Sequence, residues 1–250
     1  MAFARRFPHI GDGIGIALPN YGYARGAGRG DAKARRLGIK GSRDQGDGTM
    51  RVGQKMTRNP VTVGPNDTLD KAAAKMNAGH FRRLPVVDKA DVVGILTDRD
   101  LRQHVGHLDR TKVRAVMSQP VIIVTPMTTL EHATHLMLQH KIGGLPVVDD
   151  NGILVGIITA SDMLAAFLNF VGAAGADSSR IDVSLEGDAE RIATAAEIAA
   201  QQSGEVLGLG TYRVEGEETP VFYVRVRTED ISGVVRALEE NGFNVLAVHP

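Results

Sequence analysis

The sequence predicts an α+β protein: two β-α-β-β-α repeats forming one module, then a ferredoxin-like β-α-β-β-α-β domain. Three observations carry that expectation. The first is an internal repeat. Met56 and Met117 stand 61 residues apart, as do Pro65 and Pro126, Leu69 and Leu130, Met76 and Met137, and Pro85 and Pro146. The offset becomes 62 at Gly94 and Gly156, Thr97 and Thr159, and Asp100 and Asp162, so one residue is inserted in the turn Asp149-Asp150-Asn151-Gly152. The second is that hydrophobic spacing inside each copy switches between strand and helix periods. The third is a separate series of strand and helix patterns over the last seventy residues.

Each copy opens on a β-rich run, Val61-Thr62-Val63 or Val121-Ile122-Ile123-Val124. A helix follows with apolar residues at i, i+3, i+4 and i+7: Leu69, Ala72, Ala73 and Met76, then Leu130, Ala133, Thr134 and Met137. Asp67 and Thr128 stand where N-caps belong. A strand comes next, Leu84-Pro85-Val86-Val87-Asp88 or Leu145-Pro146-Val147-Val148-Asp149, whose proline cannot donate to a ladder. Second strands are expected at Val92–Leu96 and Leu154–Ile158, and second helices starting at Thr97 and Thr159.

Beyond the repeats, Gly172 to Ser179 is small and polar and reads as a linker. Ile181, Val183 and Leu185 alternate as a strand, and Ile192, Ala195, Ala196 and Ala199 share a helix face. Strands around Val206–Val214 and Val221–Val226 flank an acidic turn, Glu215–Glu218. Ile231, Val234, Val235 and Leu238 mark another helix, and Phe243–Val248 the last strand. Tyr223, Arg225 and Arg227 would form the polar face of the third strand. The expected layout is therefore a tail at 1–49, repeats at 50–110 and 111–171, a linker at 172–179 and a third unit at 180–250.

Composition narrows the function. Lys+Arg and Asp+Glu are both 29, so the formal net charge is zero and a whole-chain basic field for nucleic acid is absent. With no cysteine, disulfides, thiolate metal sites and cysteine nucleophiles are excluded, which fits a reducing compartment. No apolar run approaches the ~20 residues of a bilayer span, and the start, broken by Pro8, Gly11, Asp12 and Gly13, is no secretory signal. The chain reads as cytoplasmic. Residues 1–49 hold 11 of the 29 glycines and 9 Arg and Lys against 4 acids, without period, and read as a flexible tail. Met50 is an alternative start. Gly11-Asp12-Gly13-Ile14-Gly15 has no strand before it and no helix pattern after it, so it is set aside as a phosphate loop. His132, His135 and His140 do not make a compact metal triad on their helix, and nothing assembles a nucleophile, base and orienter. Catalytic residues, metal and cofactor are all read as none.

Thr97 and Asp100, like Thr159 and Asp162, are three apart at a helix mouth and face one side. Such a carboxylate can accept from two sugar hydroxyls, and the threonine hydroxyl can donate or accept at sugar or phosphate. The same spacing is also a helix-capping pattern. Gly94 and Gly156 would let a ligand approach the backbone.

The two copies resemble CBS domains, whose tandem pair is called a Bateman module. The resemblance covers about residues 50–170 and rests on the Leu-Pro-Val-Val-Asp strands, on Gly94-Ile95-Leu96-Thr97-Asp98-Arg99-Asp100, and on Gly156-Ile157-Ile158-Thr159-Ala160-Ser161-Asp162. It implies a regulatory sensor, not an enzyme, that binds AMP, ADP, ATP or a related adenosyl ligand between the copies. Thr97, Asp100, Thr159 and Asp162 would hold ribose, with Gly94 and Gly156 at the backbone approach. The residues before the Leu-Pro strand would meet phosphate: Arg82 and Arg83 in the first copy, against Gly143 and Gly144 in the second, with Arg99 a further candidate. One site is thus better equipped for charged phosphates. The third unit resembles an ACT domain, and the combination resembles the acetoin-utilisation AcuB-type proteins. Its turn Glu186-Gly187-Asp188 lacks the proline of many amino-acid-binding ACT turns, which favours a dimerisation platform. The expected partners are an adenine nucleotide, a second copy and an unknown protein target; membrane and nucleic acid are not expected. The alternatives are a structural or interaction module whose corners are only caps, and a nucleic-acid-associated regulator acting through the basic tail.

Overall fold

The computed structural model describes residues 49–175, 177–184, 189–216 and 219–250. The tail (except Thr49), the Gly11–Gly15 stretch and the turn Glu186-Gly187-Asp188 lie outside them. The chain begins with α1 (Val52–Lys55) and β1 (Thr57–Arg58). Copy one continues with α2 (Leu69–Gly79), β2 (Arg83–Asp88), β3 (Asp91–Thr97) and the short α3 (Asp98–Arg102). Copy two has α4 (Leu130–His140), β4 (Gly144–Val148), β5 (Leu154–Thr159) and α5 (Ala160–Phe170). The third unit has β6 (Ser179–Ser184), α6 (Ala189–Ser203), β7 (Glu205–Tyr212), β8 (Val221–Arg227), α7 (Ile231–Glu240) and β9 (Val245–His249). No helix among the described residues is long and apolar enough to cross a membrane.

Two local expectations need correction. The runs at 61–63 and 121–124 form no strands; each contributes one parallel bridge, Val63 to Val86 and Val124 to Val147. Prolines at 60, 65, 120 and 126 remove the donors a longer ladder would need, so only the one inward valine of each run is held. The helix caps are Thr68 and Thr129, one residue later than Asp67 and Thr128. Asp67 accepts instead from the Gly64 amide at 2.8 Å and Thr128 from the Thr125 amide at 3.1 Å, so both shape the turn before the helix.

The two copies exchange their leading segments. β1 pairs antiparallel with β5 of copy two, Thr57 opposite Ile157 and Arg58 opposite Gly156. Val52 and Met56 sit in the core of copy two with Leu145 and Ile158. Conversely, Ser118 bridges to Ile95, and Val113 joins Leu69, Leu84 and Leu96 in the core of copy one. Packing therefore crosses the sequence boundary between 110 and 111, and neither copy has a complete core alone.

The third unit is a four-stranded antiparallel sheet in the order β7-β8-β6-β9. Ile181, Phe222, Val224, Val234 and Leu238 are fully buried where α6 and α7 meet it. The opposite face carries Asp182, almost fully buried, which accepts from Arg180 Nε at 2.7 Å, from the Tyr212 hydroxyl at 3.0 Å, and lies 3.1 Å from His249 Nε2. Burial first, and the bond to Asp182 second, raise the Tyr212 phenol above its ordinary range. Tyr223, expected on an exposed polar face, is buried, because Arg180 lies over its ring at 4.7 Å and over Tyr212 at 4.9 Å.

The stretch expected as a linker is pinned. Helix α5 closes in a Schellman turn: the Ala173 amide donates to Leu168 at 2.7 Å, the Gly172 amide to Asn169 at 3.2 Å, and Gly172 has φ +71°. There the backbone meets β7, which bulges between Val206 and Gly208. A Cβ at Gly208 would stand 2.8 Å from the carbonyl carbon and oxygen of Val171, so two glycines let two main chains touch. Further along, Arg225 donates to Ser178 Oγ at 3.0 Å and Arg227 pairs with Asp177 at 3.0 Å. Gly208→Val should therefore cost about 1–3 kcal/mol, read as a lower denaturation midpoint in urea; an unchanged midpoint contradicts the contact.

Candidate functional site

Both Thr-x-x-Asp corners sit where a strand runs into a helix. Thr97 ends β3 and caps α3; Thr159 ends β5 and caps α5. In copy one, Asp100 Oδ2 accepts from the Thr97 amide and from Thr97 Oγ1, both at 2.8 Å. In copy two, Asp162 Oδ2 accepts from the Thr159 amide at 2.8 Å and from Thr159 Oγ1 at 2.7 Å. The capping pattern is thus present in both. It uses one oxygen of each carboxylate; among the described residues, Oδ1 of Asp100 and of Asp162 has no hydrogen-bond partner. The cap fixes the rotamer and leaves an aimed acceptor beside a threonine oxygen that can still accept. Capping and ligand binding are compatible uses of the same pair.

The segment before each Leu-Pro strand is aimed by an unusual backbone. His80 after α2 and Lys141 after α4 are left-handed, with φ of 52° and 54°. Each closes a Schellman-type turn in which the Phe81 amide donates to Met76 at 3.2 Å and the Ile142 amide to Met137 at 2.9 Å. Strand register then sets Arg83 opposite Thr97 and Gly144 opposite Thr159.

Two clefts result, and each draws on both copies. The first, of about 810 Å³, holds Thr97 and Asp100 of copy one and Lys141 to Gly144 of copy two, with Ile95, Ile122, Ile142 and Pro146 as apolar walls. Arg82, Arg83, Arg99, Arg102 and Lys141 bring five cations to it against two carboxylates, Asp98 and Asp100. Arg102 is tied to Asp98 at 3.3 Å. The second cleft, of about 400 Å³, holds Thr159 and Asp162 of copy two with Phe81, Arg82 and Arg83 of copy one, and is walled by Pro60, Val61 and Ile157. It has two cations and one carboxylate. Such a set can hold a diol on the acid and an aromatic base on the apolar wall, with phosphate placed toward the guanidinium groups.

The structure thus brings Thr97, Asp100, Arg82, Arg83 and Arg99 together in one cleft, and Thr159 and Asp162 with Arg82 and Arg83 in the other. Gly94 and Gly156 line neither. A Cβ at Gly94 would stand 2.7 Å from Met117 Sδ, and one at Gly156 would strike Met56. These glycines admit the exchanged methionines instead of a ligand. Sequence reasoning missed Arg102, which follows the corner on α3, and Lys141, Ile122 and Ile142, which copy two brings to the corner of copy one. Among the described residues no group of three or more His, Asp or Glu could hold a metal ion.

The CBS domain family matches residues 52–107 and 113–169. The CBS domain-containing protein YhcV of Bacillus subtilis is 39% identical over 115 residues, covering 45% of this chain and 81% of that protein. The chain belongs to the CBS domain-containing proteins. Among solved structures, the CBS domain pair of protein MJ0100, in complex with 5′-methylthioadenosine and S-adenosyl-L-methionine, is 28% identical with a TM-score of 0.45, covering 48% of this chain and 96% of that one. A Vibrio cholerae protein assigned to acetoin utilization (AcuB) is 36% identical with a TM-score of 0.44, covering 48% and 92%. The family accounts for the CBS pair and leaves the third unit outside its matched segments.

The CBS corners predict a separation of roles. Asp100→Ala should cost about 1 kcal/mol through the lost cap, or ~2–4 °C in melting temperature, whereas Asp100→Asn, which keeps an acceptor for the Thr97 amide, should melt within ~1 °C of the parent. Equal melting of all three proteins in calorimetry would contradict the cap.

Proposed function

We propose that this protein is a cytoplasmic, non-catalytic regulator that binds an adenosyl nucleotide, AMP, ADP, ATP or a related compound, in its CBS pair. The observation that carries this reading is the uncommitted Oδ1 of Asp100 and Asp162, held by the cap beside a threonine oxygen, an apolar wall and guanidinium groups. Ribose sits on Asp100 and Thr97, or on Asp162 and Thr159. Phosphate lies toward Arg82, Arg83 and Arg99. The first cleft is the one for polyphosphates, since five cations face it and it has about twice the volume of the second.

Occupancy reaches the third unit through α5. That helix starts at the Asp162 corner and ends at the Gly172–Gly208 contact, so a shift at its mouth moves the sheet attached to its other end. The third unit acts as an ACT-like relay and assembly platform; its strand order supports that likeness. A second copy pairs with the CBS helices, where Leu138, Leu164, Phe167 and Phe170 leave large apolar side chains exposed, at 57–72% for all four.

Three measurements follow. AMP, ADP, ATP and S-adenosylmethionine at 100 Kd should each stabilise the protein by about 2.7 kcal/mol if bound to the native state alone, visible as a raised melting temperature. No shift with any of them leaves the corners as caps only and removes the sensor reading. Ligand should also slow amide exchange in α6 and β7 of the parent but not of Gly208→Val; equal slowing in both would place the relay elsewhere. In sedimentation, the parent should run as a dimer and a Phe167→Asp, Phe170→Asp double variant as a monomer. A monomeric parent rejects the pairing.

A further inference from the structure

The dipeptide Arg82-Arg83 of copy one and the dipeptide Gly143-Gly144 of copy two occupy equivalent repeat positions, 61 residues apart. The fold makes the same use of their backbones: the Arg82 carbonyl accepts from the Asp98 amide at 3.0 Å, and the Gly143 carbonyl from the Ala160 amide at 3.0 Å. Their side chains are treated differently. The Arg83 side chain crosses to copy two and lies along both glycines. A Cβ at Gly144 would stand 3.0 Å from Arg83 Cδ, and a Cβ at Gly143 would strike the guanidinium Nη2. Both glycines have ordinary negative φ, so backbone freedom is not why they are there. They leave the slot in which an arginine from the other copy rests.

Arg83 is half-buried and lines both clefts. Among the described residues its guanidinium has no hydrogen bond and no ion pair. A guanidinium with five donors and no protein acceptor keeps its planar fork available to a partner in a cleft. An anion in either cleft supplies that partner. One guanidinium can clasp one phosphate bidentately. Two phosphates drawn to it from opposite sides would compete for the fork and repel each other.

We propose that Arg83 is a single phosphate ligand shared by the two clefts, so that a phosphorylated adenosyl ligand in one weakens phosphate binding in the other. Ligands without phosphate escape the coupling. The inference rests on the adenosyl reading above and adds to it a rule for joint occupancy: the CBS pair holds one phosphorylated ligand firmly, and its second cleft favours an uncharged adenosyl compound. Phe81 and Val61, on the wall of the smaller cleft, suit such a ligand.

The test is calorimetric titration of the full chain with AMP and with adenosine. Asp162→Asn isolates the first cleft and Asp100→Asn the second, and Arg83→Gln is then added to each. Sharing predicts that Arg83→Gln weakens AMP about tenfold or more in both single-cleft proteins while leaving adenosine within about twofold. It also predicts that AMP binds the isolated second cleft at least about fivefold more tightly than it binds that cleft in the parent with the first one filled. Gly143→Ala, which displaces the guanidinium without altering Arg83, should weaken AMP and spare adenosine; it serves should Arg83→Gln melt at a lower temperature. A loss of AMP affinity in one cleft only, or independent AMP binding in the parent, overturns the sharing and leaves the adenosyl reading standing. If the parent binds neither compound, the adenosyl reading itself has failed.

Discussion

A carboxylate at the start of a helix has two oxygens, and the helix needs only one. At Asp100 and Asp162 the backbone amide and the hydroxyl of the preceding threonine converge on Oδ2, which fixes the side chain and satisfies the cap. The remaining oxygen is left facing a cleft without any rotamer freedom to lose when a hydroxyl arrives. That division of one carboxylate between a helix cap and a free acceptor facing a cleft is the constraint from which the rest follows. The strand must end at the threonine, the helix must begin there, and the cleft must open on the same side.

Part of what surrounds each corner is supplied by the other repeat. The exchanged leading segments bring Met56 onto Gly156 and Met117 onto Gly94, so each sheet is finished by a segment from across the pair. The pairing of the copies also brings Lys141 and Ile142 to the first cleft and Phe81 to the second. A duplicated unit would then produce two equal sites. Inequality enters through a few side chains: Asp98 and Arg99 become Ala160 and Ser161, and the paired arginines become paired glycines. At a near-symmetric junction, four guanidinium groups would crowd one another. Glycines in one copy relieve the crowding and give Arg83 its place.

Much of this was legible in the sequence, since period and repeat report local structure directly. The positions of α2, α4 and α5, the paired strands and the Thr-x-x-Asp corners all followed from spacing. The misreadings share a cause. The roles of Gly94 and Gly156 and the buried Tyr223 each depend on a residue distant in the chain: a methionine from the neighbouring copy, and Arg180. Nothing in local periodicity carries such contacts. The glycines at 143 and 144 read as a missing phosphate ligand; only the folded pair shows that the Arg83 side chain rests against them. The valine runs at 61 and 121 had the composition of strands, but prolines on either side withheld the donors.

The most direct examination of the central claim is a crystal structure of the full chain grown with AMP. Ribose hydroxyls should lie within hydrogen-bonding distance of Oδ1 of Asp100 or Asp162, with Oδ2 still bound to its threonine and the phosphate against Arg83. A nucleotide seated away from both acids, or an acid turned off its threonine to reach the sugar, would contradict it.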